Sequence, residues 1–358
     1  MKFLRDTLRF FLRQPKWGFF FAALLVLLTL LYFHSEKSVG KEHPHEALQK
    51  FEQAENRLKD KIQATGGVGK FLKERPSLLW AFRILSVLLV GIVLAGLALD
   101  LRWLTSREWR SRIQGSNGPP EARTWGLEAL FKTILLFIVG SLGLSLLLAL
   151  VKSFFSNRTD SNFLILSHTT LSDLWCGALV VYFIRRFGGS WRDLGFKGVR
   201  IWKDFWTGFA GYVAVIPLFL LTLLVLVVVI QIFGVEPPPH PLVEIFLEEE
   251  RSPVLIGYSI FLACVVGPFF EEIFFRGFCY PAFKKRWGTG RALVLSSAFF
   301  SAIHQNLFAF LPVFVLGLCL GYLYEKRGNL VPSIALHIVH NSVFILYFFL
   351  AKQVLTNS

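Results

Sequence analysis

The sequence predicts an all-α, multi-pass transmembrane helical bundle of about nine spans with a cytoplasmic N-terminus. Three observations carry that reading. Of the 358 residues, 54% are hydrophobic and only 17% are charged, against about 25% charged in a soluble domain. Apolar runs recur along the chain at roughly the 17–25 residues that a bilayer-crossing helix needs. The loops between those runs alternate between rich and poor in Lys and Arg, the pattern of positive-inside topology. The same composition excludes a disordered chain. The four cysteines, Cys176, Cys264, Cys279 and Cys319, each lie alone in an apolar stretch. They exclude a disulfide-stapled module and read as buried thiols.

The candidate spans are about 17–33, 78–101, 125–151, 163–184, 204–233, 253–283, 292–310, 311–325 and 330–351. The first follows a basic start but continues into His34-Ser35-Glu36-Lys37 rather than a cleavage site, so it reads as a retained anchor. Residues 34–77 form the one sizeable aqueous segment. Within it Leu48, Phe51, Leu58 and Ile62 are spaced as one face of a helix, and Gly66-Gly67 would end that helix. The fifth span is the clearest, with only Pro217 and Thr222 interrupting Val213 to Ile230. Residues 234–240 are a stiff polyproline connector. The eighth span is the weakest, short and starting at Pro312; without it the count is eight. It is expected to pair with the seventh as a hairpin through Gln305-Asn306-Leu307-Phe308.

With the N-terminus inside, 22 of the 38 Lys and Arg fall in cytoplasmic segments and 13 outside, nine of the latter in the 34–77 loop beside seven acids. The net charge of +14 is therefore a cytoplasmic skirt along the membrane rather than a nucleic-acid surface.

Ionisable groups inside spans are costly, about 2.5–3.5 kcal/mol for an acid at the helix centre, and mark function. The sixth span holds Gly267-Pro268-Phe269-Phe270-Glu271-Glu272-Ile273-Phe274-Phe275-Arg276. Glu272 and Arg276, at i and i+4, form an acid-first pair on one helix face. Glu271, turned about 100° away, is left free to act as a general base on water. His304 lies about 12 residues into the seventh span, or about 18 Å deep. His337 and Asn341, at i and i+4 of the ninth span, point the same way. His340 is one residue off that face. Glu271, His304, His337 and Asn341, from three spans, read as one convergent site. In the fourth span Asp173 either lines a wet cavity beside the site or pairs with a cation from a neighbouring span, the second being favoured. Phe300 is a candidate lining residue of a substrate cavity.

Other protease designs fail on the residues. His45-Glu46 lacks the second His of a zinc HExxH motif, no GxSG supplies a serine nucleophile, and Asp173 has no second intramembrane Asp beside it. The three patterns Glu271-Glu272-xxx-Arg276, Phe300-xxx-His304 and His337-xxx-Asn341 resemble the ordered motifs of the CAAX-protease and bacteriocin-processing (CPBP, or Abi) intramembrane protease family. Trp191-Arg192-Asp193-Leu194-Gly195-Phe196 is similar to a weaker upstream element of that family. The resemblance covers roughly 160–350. It divides the chain into an N-terminal extension, residues 1–160 with about three spans, and a protease-like core, residues 161–351.

The resemblance implies a membrane endopeptidase acting on a membrane-associated, in some branches prenylated, protein or peptide. It implies that Glu271 and His304 activate the water, that His337 and Asn341 donate to the oxyanion, and that Glu272 and Arg276 hold the motif helix. The chain is expected to reside in a bacterial inner membrane. Glu271, His304 and His337 also match the ligand types of a catalytic zinc site. The acid pair and Asn341 are accounted for without a metal, so no obligatory cofactor is expected. A non-catalytic scaffold or bacteriocin-immunity factor that kept the motif is the rival reading. A proton-site transporter would show related halves, which the sequence lacks.

Overall fold

The computed structural model describes residues 46–114, 124–154, 161–234 and 252–356. The expected first span and most of the polyproline connector lie outside these residues. The chain divides into two compact units, residues 1–50 and 51–358. Among the described residues there are helices, turns and no strand. Helix α1 (Glu46–Ala64) ends as its sequence suggests, at Gly66 and Gly67 with φ of 82° and 104°. It is followed by α2 (Val68–Lys73), α3 (Pro76–Thr105), α4 (Arg107–Ile113), α5 (Leu127–Phe154), α6 (Ser161–Arg186) and α7 (Ile201–Phe233). The motif-bearing α8 (Pro253–Trp287) leads into α9 (Thr289–Ala302), α10 (Leu307–Arg327) and α11 (Val331–Thr356).

Seven of these helices are long and apolar enough to cross a membrane: α3, α5, α6, α7, α8, α10 and α11. In the most apolar stretches of α3 and α5 only 6% of residues are buried inside the protein. A helix apolar all round and so little covered needs lipid against it. The chain is an integral membrane protein.

The expected hairpin of spans seven and eight is present, with its turn displaced. Helix α9 stops at Ala302, and α10 starts at Leu307 rather than 311. The cause is local: the Asn306 side chain accepts hydrogen bonds from the Phe308 and Ala309 N–H groups, capping α10. Gln305 takes the left-handed conformation, φ 51°. At fourteen residues α9 is about 21 Å long, short of the roughly 30 Å hydrocarbon core. His304 thus sits in the connecting turn, not within a spanning helix.

Helix α8 is not a plain α-helix. Leu262–Val266 and Ile273–Cys279 are π-helical stretches on either side of Gly267–Glu272. Such widened turns recur at functional sites. Both flank the paired acids here.

The elements before residue 160 pack directly on those after it. Helix α5 lies along α6 and α3 along α7. Trp125, just before α5, donates its indole N–H to the Phe278 carbonyl at 3.0 Å and stacks on the Phe278 ring. Trp125 is 1% exposed and Phe278 0%, so the joint belongs to the core. Helices α7 and α11 come together through Gly208: a Cβ there would stand 2.3 Å from the Pro332 carbonyl oxygen. Overpacking at such a contact costs about 1–3 kcal/mol. Gly208→Ala is therefore expected to lower the thermal unfolding midpoint of the detergent-solubilised protein, read by intrinsic fluorescence.

Candidate active site

The Trp191–Leu194 turn sets the underside of the site. Ser190 and Asp193 form a reciprocal cap, with the Asp193 carboxylate accepting from the Ser190 backbone N–H at 2.8 Å and from Lys197 Nζ at 2.6 Å. Burial pushes the Asp193 carboxyl up, but the hydrogen bonds from Lys197 and Ser190, together with the Lys197 charge, outweigh it. They hold the group below the usual carboxylate range. Gly195, at φ 111°, turns the chain so that Leu194 docks on α8, 3.1 Å from where a Gly277 Cβ would be. Tyr324 Oη donates to the Leu194 carbonyl and the Leu330 N–H donates to the Gly195 carbonyl. This short element therefore ties α8, α10 and the start of α11 together.

On that base the motif residues of α8 and α11 meet. Arg276 Nη1 donates to Glu272 Oε1 at 2.8 Å, and its Nη2 donates to the Gly317 carbonyl of α10 at 3.2 Å. The guanidinium also lies over the Phe300 ring at 4.4 Å. Glu272 is 0% and Arg276 1% exposed, so this is a fully desolvated pair. The expected i, i+4 geometry holds across the π-helical stretch. His337 Nδ1 lies 3.0 Å from the same Glu272 oxygen. A carboxylate only accepts, so Nδ1 carries the hydrogen there and Nε2 faces away from Glu272. That Nε2 lies 3.8 Å from Glu271 Oε2, beyond hydrogen-bonding distance but within range of a shared small group. Glu271 is the more open acid, its side chain 30% exposed, and its Oε2 is sealed without a hydrogen-bond partner.

His304 stands across the Phe300 ring from His337. Phe300 makes edge contacts with both imidazoles, at 5.0 and 5.6 Å between centroids. His304 Nδ1 is 2.8 Å from the Phe300 carbonyl, which again places the hydrogen on Nδ1 and leaves the Nε2 lone pair free. Phe300 itself is 0% exposed. It does not line an open substrate cavity, as its sequence position suggested, but fills the space between the two histidines and Arg276.

Asn341 Nδ2 donates to the Ala263 carbonyl, in the first π-helical stretch, at 2.8 Å. One of its two amide hydrogens is thus committed to holding α11 against α8. Glu271 Oε1 lies 3.9 Å from where a Gly267 Cβ would be. His340, off this face, packs between Tyr212 and Phe219.

Among the described residues no cation pairs with Asp173, contrary to the favoured expectation. Its Oδ2 is sealed and without a hydrogen-bond partner, and it interacts electrostatically with Glu271. Among the described residues no three His, Cys, Asp or Glu side chains gather as a metal-binding group. Glu271, His304 and His337 do not form a three-ligand set.

Several contributors were passed over by sequence reasoning: Trp125, the Gly317 and Ala263 carbonyls, and Gly277. Gly317 and Gly321, four apart on α10, carried a readable signal, since small residues at that spacing let membrane helices approach. Cβ atoms there would meet Ser297 at 3.0 Å and Leu293 at 2.9 Å on α9.

A cavity of about 730 Å³ opens between α6, the Trp191–Leu194 turn and α8. Phe269, Phe270 and Ile273 of α8 and Leu194 form its floor, and Arg185 and Arg186 stand at its α6 wall.

Residues 253–343 match a family model described as type II CAAX prenyl endopeptidase Rce1-like. That stretch contains all three motif patterns. No curated protein matches the chain. No solved structure matches it either.

Proposed function

We propose that the chain, whose residues 253–343 match the type II CAAX prenyl endopeptidase Rce1-like model, is an intramembrane endopeptidase that cuts a peptide bond in a lipid-modified protein or peptide of a bacterial inner membrane. One observation carries the reading: a carboxylate–imidazole–carboxylate array, Glu272–His337–Glu271, held by Arg276 on the motif helix α8.

The chemistry follows from the proton positions. Glu271, the acid not hydrogen-bonded to Arg276, takes a proton from water with His304 Nε2 as the second acceptor, and the water oxygen attacks the scissile carbonyl. His337 holds one hydrogen on Nδ1 toward Glu272. To donate to the oxyanion from Nε2 it must carry the second proton as well. Asn341 supplies the other donor with the amide hydrogen not given to Ala263. Glu271 then returns its proton to the leaving amine as the C–N bond breaks. Each step uses the chain's own side chains.

The cavity supports the lipid part of the proposal. It is lined by Phe269, Phe270, Ile273 and Val181, an apolar surface suited to a hydrocarbon chain, on the helix that carries Glu271. Burial of a hydrocarbon chain is worth about 0.8 kcal/mol per CH₂. The test is an internally quenched peptide ending in Cys-aliphatic-aliphatic-X, offered with and without a farnesyl group on the cysteine. The farnesylated peptide is expected to be cut with kcat/KM higher by about tenfold or more. Equal cleavage of both forms would remove the lipid from the proposal. Cleavage of neither, by protein that unfolds cooperatively, would favour the scaffold reading.

A further inference from the structure

The mechanism above leaves one intramembrane acid unused. Asp173 sits in α6 on the side that meets α8. One turn further along, Gly177 touches the Phe270 ring so closely that a Cβ would stand 2.6 Å from it. Residues 173 and 177 share a helix face, and Phe270 immediately precedes Glu271. At this level α6 and α8 are therefore in direct contact. The Asp173 and Glu271 carboxyl groups interact electrostatically, and Cys176 feels both. Each acid has one oxygen sealed from solvent with no hydrogen-bond partner in the protein, Asp173 Oδ2 and Glu271 Oε2. Buried polar atoms in native proteins are almost always satisfied, and an orphan needs an explanation. Packing supplies none, because two neighbouring carboxylates repel.

We propose that Asp173 is a water-holding residue of the hydrolytic site. A single water between the two carboxyl groups would donate one O–H to each and so satisfy both orphan oxygens. Its oxygen lone pair would then point away from both acids, toward a carbonyl carbon held above them. As the C–O bond forms, Glu271 removes one proton. The second O–H stays on Asp173, which takes it in place of His304 Nε2 and keeps the nucleophile aligned, and it remains with the new carboxyl group when the C–N bond breaks and Glu271 protonates the amine. The inference rests on Glu271 being the base.

The experiment compares full-length wild type, D173N, D173E and E271Q in detergent on the farnesylated quenched peptide, with thermal midpoints recorded alongside. D173N is expected to lower kcat about 10–100-fold, within the range for a positioned proton-handling group, and to leave KM within about twofold. Its thermal midpoint should hold or rise, because an uncompensated acid has gone. D173E should recover part of kcat. A packing role predicts the opposite pattern, a lower midpoint with cleavage changed only in proportion to folded protein, and that result overturns the proposal. Full kcat in D173N beside an inert E271Q sinks the role of Asp173 alone. Full activity in E271Q sinks the base assignment and this inference with it. If wild type leaves the peptide uncut, the midpoint decides: a fall in D173N overturns the proposal.

Discussion

Glu271→Gln is expected to reduce peptide cleavage by about 10³-fold or more while leaving the protein folded. A positioned general base contributes about 10²–10⁴, and a glutamine amide has no basic site to take its place. The substitution is close to isosteric, so the contact with His337 Nε2, 3.8 Å away, is not lost to a cavity. It also removes a negative charge from beside Asp173. The thermal midpoint should therefore hold or rise. The check is single-turnover cleavage of the quenched farnesylated peptide beside a thermal unfolding trace. Cleavage within a few-fold of wild type would show that the water is activated elsewhere.

Arg276→Ala is expected to act on the fold first. Arg276 is 1% exposed and serves three partners at once: Glu272, the Gly317 carbonyl and the Phe300 face. Removing one member of a buried pair strands the other, at a cost of about 3–5 kcal/mol. The variant should accumulate poorly, or unfold well below wild type in detergent. Arg276→Lys should recover only part of this, because an ammonium cannot reach a carboxylate and a carbonyl in the planar fork that a guanidinium offers. The double change Glu272→Leu, Arg276→Met removes both charges and should be more stable than Arg276→Ala. It should stay inactive, since His337 loses the acceptor that fixes its Nδ1 hydrogen. A double variant as unstable as Arg276→Ala would mean that packing, not charge, dominates the site.

Much of this was legible in residue spacing. The i, i+4 relation of Glu272 and Arg276 survives as a 2.8 Å contact, and the turn of His340 away from the site survives as its packing on Tyr212 and Phe219. What failed did so for local reasons. The run 292–310 is apolar throughout, so hydropathy carried the seventh span past Ala302. The stop signal was Asn306, a side chain able to cap the next helix. Pro312 suggested a helix start, whereas it lies five residues inside α10. The π-helical stretches of α8 leave no mark in hydropathy, since one extra residue per turn shifts the apolar period too little to notice. For Asp173 the sequence leaves a wet cavity and a cation partner both open and favours the second. No pattern within one helix reveals that its neighbour across the interface is another acid.

The indole bond from Trp125 to the Phe278 carbonyl bears on how this architecture can be inherited or trimmed. The matched stretch looks like a portable cassette, yet its reactive helix depends on an aromatic plug supplied from more than 120 positions upstream. Deleting everything ahead of α6 would strip that plug away and open the hidden side of the scaffold to lipid. The smallest self-sufficient piece of this polypeptide therefore begins ahead of Trp125.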